Sequence, residues 1–162
     1  KAQKAIEAGE CPAEAVLELK PVMEAVKKQF ADISKENVGV GSTIFAVKPG
    51  DGSAREQAAS CQKVLGGWAN IANEYATKRY RSNLINWGML PFLIPQGELP
   101  FTNGDFLFFP HIREAVADKA DSITGYVVKE DGLKEFQVTL GELTDDEREI
   151  ILKGCLINYN RV

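Results

Sequence analysis

The sequence predicts an α/β domain, and three observations lead to this prediction. A β-branched, apolar run at residues 42–47 is followed by a glycine-rich loop and then by a helical pattern. A second strand pattern and a second helix pattern follow over residues 68–87. Two alternating runs on either side of Gly132 then indicate a β-hairpin. A strand-helix order followed by a hairpin favours a sheet system with helices packed on it.

The first thirty residues are predicted to be helical. Residues 1–20, rich in alanine, glutamate and lysine, lack a strong buried stripe and are expected to be a linker or connecting helix. Short helices are predicted at residues 13–19 and 21–30, because Pro21 is tolerated in a first helical turn and not in a helix interior.

The remaining elements are read from apolar periodicity and from turn residues. A turn at residues 38–41 leads into the strand at 42–47, which is apolar enough to be a buried strand. The later elements are a helix at 53–64, a strand at 68–75, a helix at 77–87 with Gly88 as its C-cap, a strand at 90–94, a loop at 95–104, and strands at 105–109, 123–129 and 133–140. Thr144 and Glu147 have capping-box spacing at the start of the last helix.

Composition and charge exclude several classes of protein. At 162 residues, with 44% hydrophobic and 26% charged residues, the chain fits one globular core. A net charge of −4, with no stripe of lysine or arginine, argues against a nucleic-acid surface. No apolar run approaches the roughly twenty residues that cross a bilayer, and no charged-then-apolar leader opens the chain. We therefore expect no membrane partner and a cytoplasmic location.

The cysteines indicate neither a disulfide framework nor a metal site. Cys11, Cys61 and Cys155 are odd in number, far apart and without C-x-x-C spacing. They are expected to be small buried or half-buried residues.

The most informative stretch is residues 50–59, which read G-D-G-S-A-R-E-Q-A-A. Two glycines release a loop into a helix start, where unpaired N–H groups and the helix dipole attract anions. Arg55 adds a planar fork that can grip a carboxylate, and Ser53 adds a hydroxyl. The alternative is that Ser53 is an ordinary N-cap and Arg55 is solvated, and spacing alone favours this alternative.

These ten residues closely resemble the G-x-G-S-S-R-E-H-A-A signature in the mobile fourth domain of aconitases and in the small subunit of isopropylmalate dehydratases. Two further blocks resemble the family in the expected order, R-S-N-L-I-N-W-G-M-L-P-F-L at residues 81–93 and G-C-L-I-N-Y at residues 154–159. The resemblance covers residues 21–162 and implies an aconitase-type swivel domain with the family's three-layer β/β/α architecture and a mixed sheet. It reverses the preference for the N-cap interpretation of Ser53.

The resemblance implies a hydro-lyase that interconverts a hydroxy di- or tricarboxylic acid and its unsaturated form. The position of Ser53 is that of the base that removes the proton α to a substrate carboxylate, and the position of Arg55 is that of a carboxylate-binding arginine. Ser53, Ala54 and Arg55 would contact substrate, while Gly50, Asp51 and Gly52 would shape the loop.

The same resemblance implies that a 4Fe–4S cluster is held by cysteines of other domains and that this chain has no metal site. The expected partners are the remaining aconitase-like domains or a large subunit, together with the small carboxylic acid. The chain alone is expected to be inactive. His111, the only histidine, is expected to be exposed or capping, because the family places its catalytic histidines in other domains.

Two positions depart from the family signature. Ala54 stands where the family has a second serine, and Gln57 stands where it has a histidine. Loss of one hydrogen bond to a charged group is worth about 1.5–3 kcal/mol, enough to change substrate preference. The departures also allow a non-catalytic or regulatory aconitase-like binding module that has lost the reaction. RNA is one candidate partner for such a module, although the acidic charge weighs against it.

Overall fold

A computed structural model describes residues 18–34 and 37–161. Cys11, most of the linker expected at residues 1–20 and most of the helix predicted at 13–19 lie outside the described residues. The elements are helices α1 Leu19–Gln29, α2 Arg55–Val64, α3 Lys78–Asn86, α4 Ile112–Ala117, α5 Asp145–Lys153 and α6 Leu156–Tyr159, and strands β1 Ser42–Ala46, β2 Gly67–Ala72, β3 Leu90–Leu93, β4 Phe106–Phe108, β5 Ile123–Lys129 and β6 Gly132–Val138.

The chain divides into two compact units. The first comprises the described residues before Ser42 together with Glu98–Pro110 and Thr124–Phe136, and the second comprises Ser42–Gly97, His111–Ile123 and the described residues from Gln137 onward. In the first unit, β4 pairs antiparallel with β5, and β6 completes a three-stranded sheet in the order β4-β5-β6.

In the second unit, three strands form a parallel sheet in the order β1-β2-β3. The predicted α/β class, with both parallel and antiparallel pairing, is therefore confirmed. Strand β2 is central and largely buried, whereas β1 is an edge strand with its first three residues exposed. The prediction of a buried strand at residues 42–47 was wrong, because an edge strand is covered by a neighbour on one side only; Ile44 keeps 44% of its surface exposed.

The carboxyl ends of these parallel strands lie at one edge of the sheet and are joined there by hydrogen bonds. The N–H of Glu74, after β2, donates to the carbonyl of Val47, after β1, at 3.1 Å. The Asn73 side chain donates to the carbonyl of Ile94, after β3, at 3.0 Å. Loops that leave this edge are therefore held against one another, which is the usual position for a ligand site in a parallel sheet.

The predicted ends of the main helices are mostly confirmed. Thr77 caps α3 by accepting a hydrogen bond from the N–H of Tyr80, and Thr144 forms the predicted capping box with Glu147 at the start of α5. The C-cap of α3 was predicted to be Gly88, but it is Trp87. Gly88 is the next residue and has φ of +67°. A Cβ at Gly88 would overlap the carbonyl of Gly154.

Several local expectations were incomplete or wrong. Helix α4 was not predicted; its N-cap is the exposed His111, which has φ of +51° and makes no side-chain capping bond. Cys155 is half-buried as expected, but Cys61 is exposed because it lies on the outer face of α2. No helix among the described residues is long and apolar enough to span a bilayer.

Candidate functional site

The glycine-rich loop lies at the carboxyl edge of the parallel sheet, between β1 and α2. Helix α2 begins at Arg55 with Ala54 as its N-cap, and no side chain caps it. The carbonyl of Ala54 accepts the first helical hydrogen bond, from Ala58 N at 3.0 Å. The predicted helix start at residue 53 was therefore wrong, as was the alternative that Ser53 is the N-cap. Ser53 precedes the cap position, and its side chain is left exposed.

The loop is tightly constrained at Gly50 and open at Gly52. Gly50 has φ of +97°, and a Cβ there would lie 2.5 Å from both Cβ and Cγ of Tyr80. A side chain is thus excluded both by backbone conformation and by space. At Gly52 a Cβ would meet nothing within 4 Å, so the backbone there is approachable from solvent. Asp51, between the two glycines, is exposed.

The carbonyl of Gly50 holds the Arg55 side chain. Arg55 Nε donates to this oxygen at 3.1 Å, and Thr77 Oγ1 donates to it at 3.3 Å. Within the described part of the chain, no carboxylate forms an ion pair with Arg55. The half-buried guanidinium is therefore anchored through Nε, while its two terminal nitrogens keep the fork geometry that suits a carboxylate.

An open cleft of about 430 Å³ lies over this loop and the first turns of α2. Its lining combines the loop, the first turns of α2 and one aromatic ring, from Pro49, Gly50, Gly52, Ser53, Ala54, Arg55, Ala58 and Tyr80. The structure thus brings the predicted site residues together, with Asp51 outside the lining. The cleft walls are mainly apolar, so the guanidinium and the free N–H groups of the helix start are the features that can attract an anion.

The floor of the cleft rests on a buried polar network. The Tyr80 hydroxyl accepts hydrogen bonds from Asn70 Nδ2 at 2.8 Å and from Gln62 Nε2 at 3.0 Å. Beside it, the Tyr75 hydroxyl donates to the carbonyl of Phe92 at 3.0 Å. Burial, reinforced by the neighbouring Tyr80, raises the pKa of Tyr75, so this hydroxyl remains a donor at physiological pH. The network joins α2, α3 and β2 beneath the loop.

Sequence reasoning missed two residues that shape this site. The helix predicted at residues 77–87 included Thr77, but nothing local indicated that the Thr77 hydroxyl also reaches Gly50. The packing of Tyr80 beneath Gly50 is likewise a contact between distant residues. An aromatic residue in a first helical turn is the one signal present, and it is not specific.

The described residues contain no group of three or more histidine, cysteine, aspartate or glutamate side chains able to hold a metal ion. Nothing in this part of the chain therefore fits the role of ligand set for an iron–sulfur cluster.

Comparison with known proteins agrees with the resemblance noted in the sequence. Residues 28–97 match a family described as the aconitase C-terminal domain, and this range contains the cleft residues. Aconitate hydratase A of Corynebacterium efficiens is 28% identical over 138 residues, which cover 80% of this chain and 14% of that protein. The chain thus spans a small part of the length of this relative. Both matches support an aconitase-family C-terminal domain in this chain.

Proposed function

We propose that residues 21–162 are the mobile domain of an aconitase-family hydro-lyase, which brings a serine base and a carboxylate clamp to a hydroxy di- or tricarboxylic acid. Residues 1–20 are its linker in this proposal. The observation that carries the proposal is Arg55, which is anchored by Nε to Gly50 at the edge of a cleft and has no carboxylate partner in the described chain. An arginine held in this way is prepared to bind a substrate carboxylate at little further entropic cost.

Ser53 is the proposed base. Its exposed side chain lines the same cleft as Arg55, immediately before the start of α2. A serine hydroxyl is a weak base in water, and the positive end of the helix, with the nearby guanidinium, would stabilise the alkoxide. Arg55 would hold the carboxylate, and Ser53 would remove the proton on the adjacent carbon.

The other domains or a large subunit are the proposed partners. The 4Fe–4S cluster expected in the complete enzyme would be held there, since the described residues of this chain offer no ligand set. We propose a cytoplasmic protein and an isolated chain that does not turn over substrate, because base and clamp are only part of the machinery.

A second candidate is an aconitase-like binding module that has lost the reaction. Two features favour it. The Ser53 hydroxyl has no hydrogen-bond partner among the described residues, so no side chain of this part of the chain activates it. Ala54 also presents a methyl group to the cleft where the family signature has a hydroxyl. Such a module would bind the acid through Arg55 without converting it.

Kinetics of the full-length protein separate these two functions. With cis-aconitate as substrate, Ser53→Ala should lower kcat far more than it raises KM, because a base acts in the transition state. Arg55→Gln should raise KM as well, because a carboxylate clamp also holds the ground state. Ser60→Ala is the matched control, since Ser60 lies on α2 and, among the described residues, its hydroxyl bonds only to the Gln57 carbonyl at 3.3 Å.

Near-normal kcat in Ser53→Ala would exclude Ser53 as the base. A wild-type protein that binds the acid but shows no hydration above background would support the binding module instead.

A further inference from the structure

The loop that carries the proposed carboxylate clamp is fastened to the beginning of α3. The N–H of Ala76 donates to the carbonyl of Pro49 at 2.9 Å. Thr77 Oγ1 donates to the next carbonyl, that of Gly50, at 3.3 Å. Tyr80 then packs so closely beneath Gly50 that a Cβ could not be added there. The loop position is therefore set by α3 as well as by its own helix.

The Gly50 carbonyl is the junction through which this restraint reaches the guanidinium. A carbonyl oxygen has two lone pairs, and here it accepts from Thr77 Oγ1 and from Arg55 Nε. The Thr77 hydroxyl is itself held, because it accepts the N–H of Tyr80 at 3.2 Å as the N-cap of α3. A chain of hydrogen bonds thus runs from the helix cap to the arginine.

Thr77 is not among the residues that line the cleft. Any effect of Thr77 on a bound carboxylate would have to act through Gly50 and Arg55. This separation distinguishes a residue that orients the clamp from one that touches the ligand.

We propose that Thr77 is a positioning residue for carboxylate recognition: its hydroxyl fixes the Gly50 carbonyl, which fixes Arg55 Nε and so aims the terminal nitrogens into the cleft. The inference rests on the proposed role of Arg55. An arginine side chain has many rotamers, and restraining them before binding strengthens the complex without adding a contact.

The test uses the 162-residue chain with citrate as the probe. Chemical-shift titration measures the citrate affinity, and hydrogen exchange of the Arg55 Nε–H measures how firmly that group is held. Thr77→Val removes the hydroxyl at nearly constant volume. It should weaken citrate binding about two- to twelvefold, the range that corresponds to one net hydrogen bond, and should speed exchange of the Arg55 Nε–H. Thr77→Ser keeps the hydroxyl and should restore both properties.

Thr144→Val is the matched control for loss of a helix cap. Thr144 accepts the N–H of Glu147 at 3.2 Å, the same distance as the cap bond of Thr77, but it belongs to α5. This variant should lose comparable stability and keep wild-type citrate affinity and Arg55 exchange.

The inference would be overturned if Thr77→Val and wild type had the same citrate affinity and the same Arg55 exchange. It would also be overturned if Thr144→Val lost as much citrate affinity as Thr77→Val. If the wild-type chain shows no citrate-induced shifts at residues 50–58, the proposed function fails, while exchange still decides the role of Thr77. Faster exchange in Thr77→Val would support it, and unchanged exchange would refute it.

Discussion

Replacing Gly50 by alanine should be among the most damaging single-methyl additions available in this domain. The added Cβ would lie 2.5 Å from Cβ and Cγ of Tyr80 and 2.7 Å from Cδ1. The Cβ of Tyr80 is attached to the backbone, so a change of rotamer cannot move it away. The loop or α3 would have to shift by an ångström or more, and α3 is held in place by its own fully buried residues Leu84 and Ile85.

The expected cost has two parts. An alanine at φ of +97° is strained by about 1–2 kcal/mol. Overpacking against a well-packed neighbour costs about 1–3 kcal/mol, and the lower entropy of the unfolded alanine chain returns about 0.4–1 kcal/mol. The free energy of unfolding should therefore fall by roughly 1–5 kcal/mol, against the 5–15 kcal/mol typical of a domain.

Urea unfolding of three alanine variants separates the two parts. Gly66 has φ of +92° with nothing within 4 Å of a Cβ, so Gly66→Ala carries the backbone strain and the unfolded-chain term without overpacking. Gly52 has neither a positive φ nor a neighbour, so Gly52→Ala should be neutral or slightly stabilising. The reasoning is refuted if Gly50→Ala loses no more stability than Gly66→Ala.

Two further changes test the supports of the two units. Tyr80→Phe keeps the ring beneath the loop but removes the acceptor shared by the buried Asn70 and the part-buried Gln62. Leaving the buried Asn70 donor unpaired should cost about 1–3 kcal/mol in urea unfolding; an unchanged midpoint would contradict this. In the first unit, Lys129 donates a hydrogen bond to Asp105 and lowers the pKa of this carboxyl below the ordinary 3.8. The contact between them therefore stabilises the fold fully above that pH, and this stabilisation is lost as pH falls through the lower folded-state pKa. The stability difference between wild type and Asp105→Asn should shrink on acidification below about pH 4, and a pH-independent difference would exclude this linkage.

Elements with a local signature could be predicted from sequence. The capping box at Thr144 and Glu147, the start of α3 near Thr77 and the hairpin around Gly132 are confirmed, because each depends on residues a few positions apart. The edge position of β1 could not be predicted, since composition reports how apolar a strand is and not what covers it. Helix α4 was missed because six residues show too little periodicity.

The candidate site also combines features that are local in sequence with contacts between distant residues. The glycine loop, the arginine and the helix after them are consecutive in sequence, so the residues of an anion site could be recognised there. The exact helix start could not, because Ser53 and Ala54 both suit a first turn and the backbone at Ala54 decides. The contacts of Thr77 and Tyr80 with Gly50 join distant parts of the chain, and no local pattern records them.

The close approach of Gly88 to Gly154 has a consequence for genetics. The atom that blocks a side chain at Gly88 is the main-chain carbonyl oxygen of Gly154. Every amino acid carries that oxygen, so no substitution at position 154 can make room, and Gly154 itself needs its left-handed φ of +89° to end α5. A screen for second-site suppressors of Gly88→Ala should return no suppressor at position 154, and any revertant should restore glycine at 88 or shift the backbone of the α5–α6 corner.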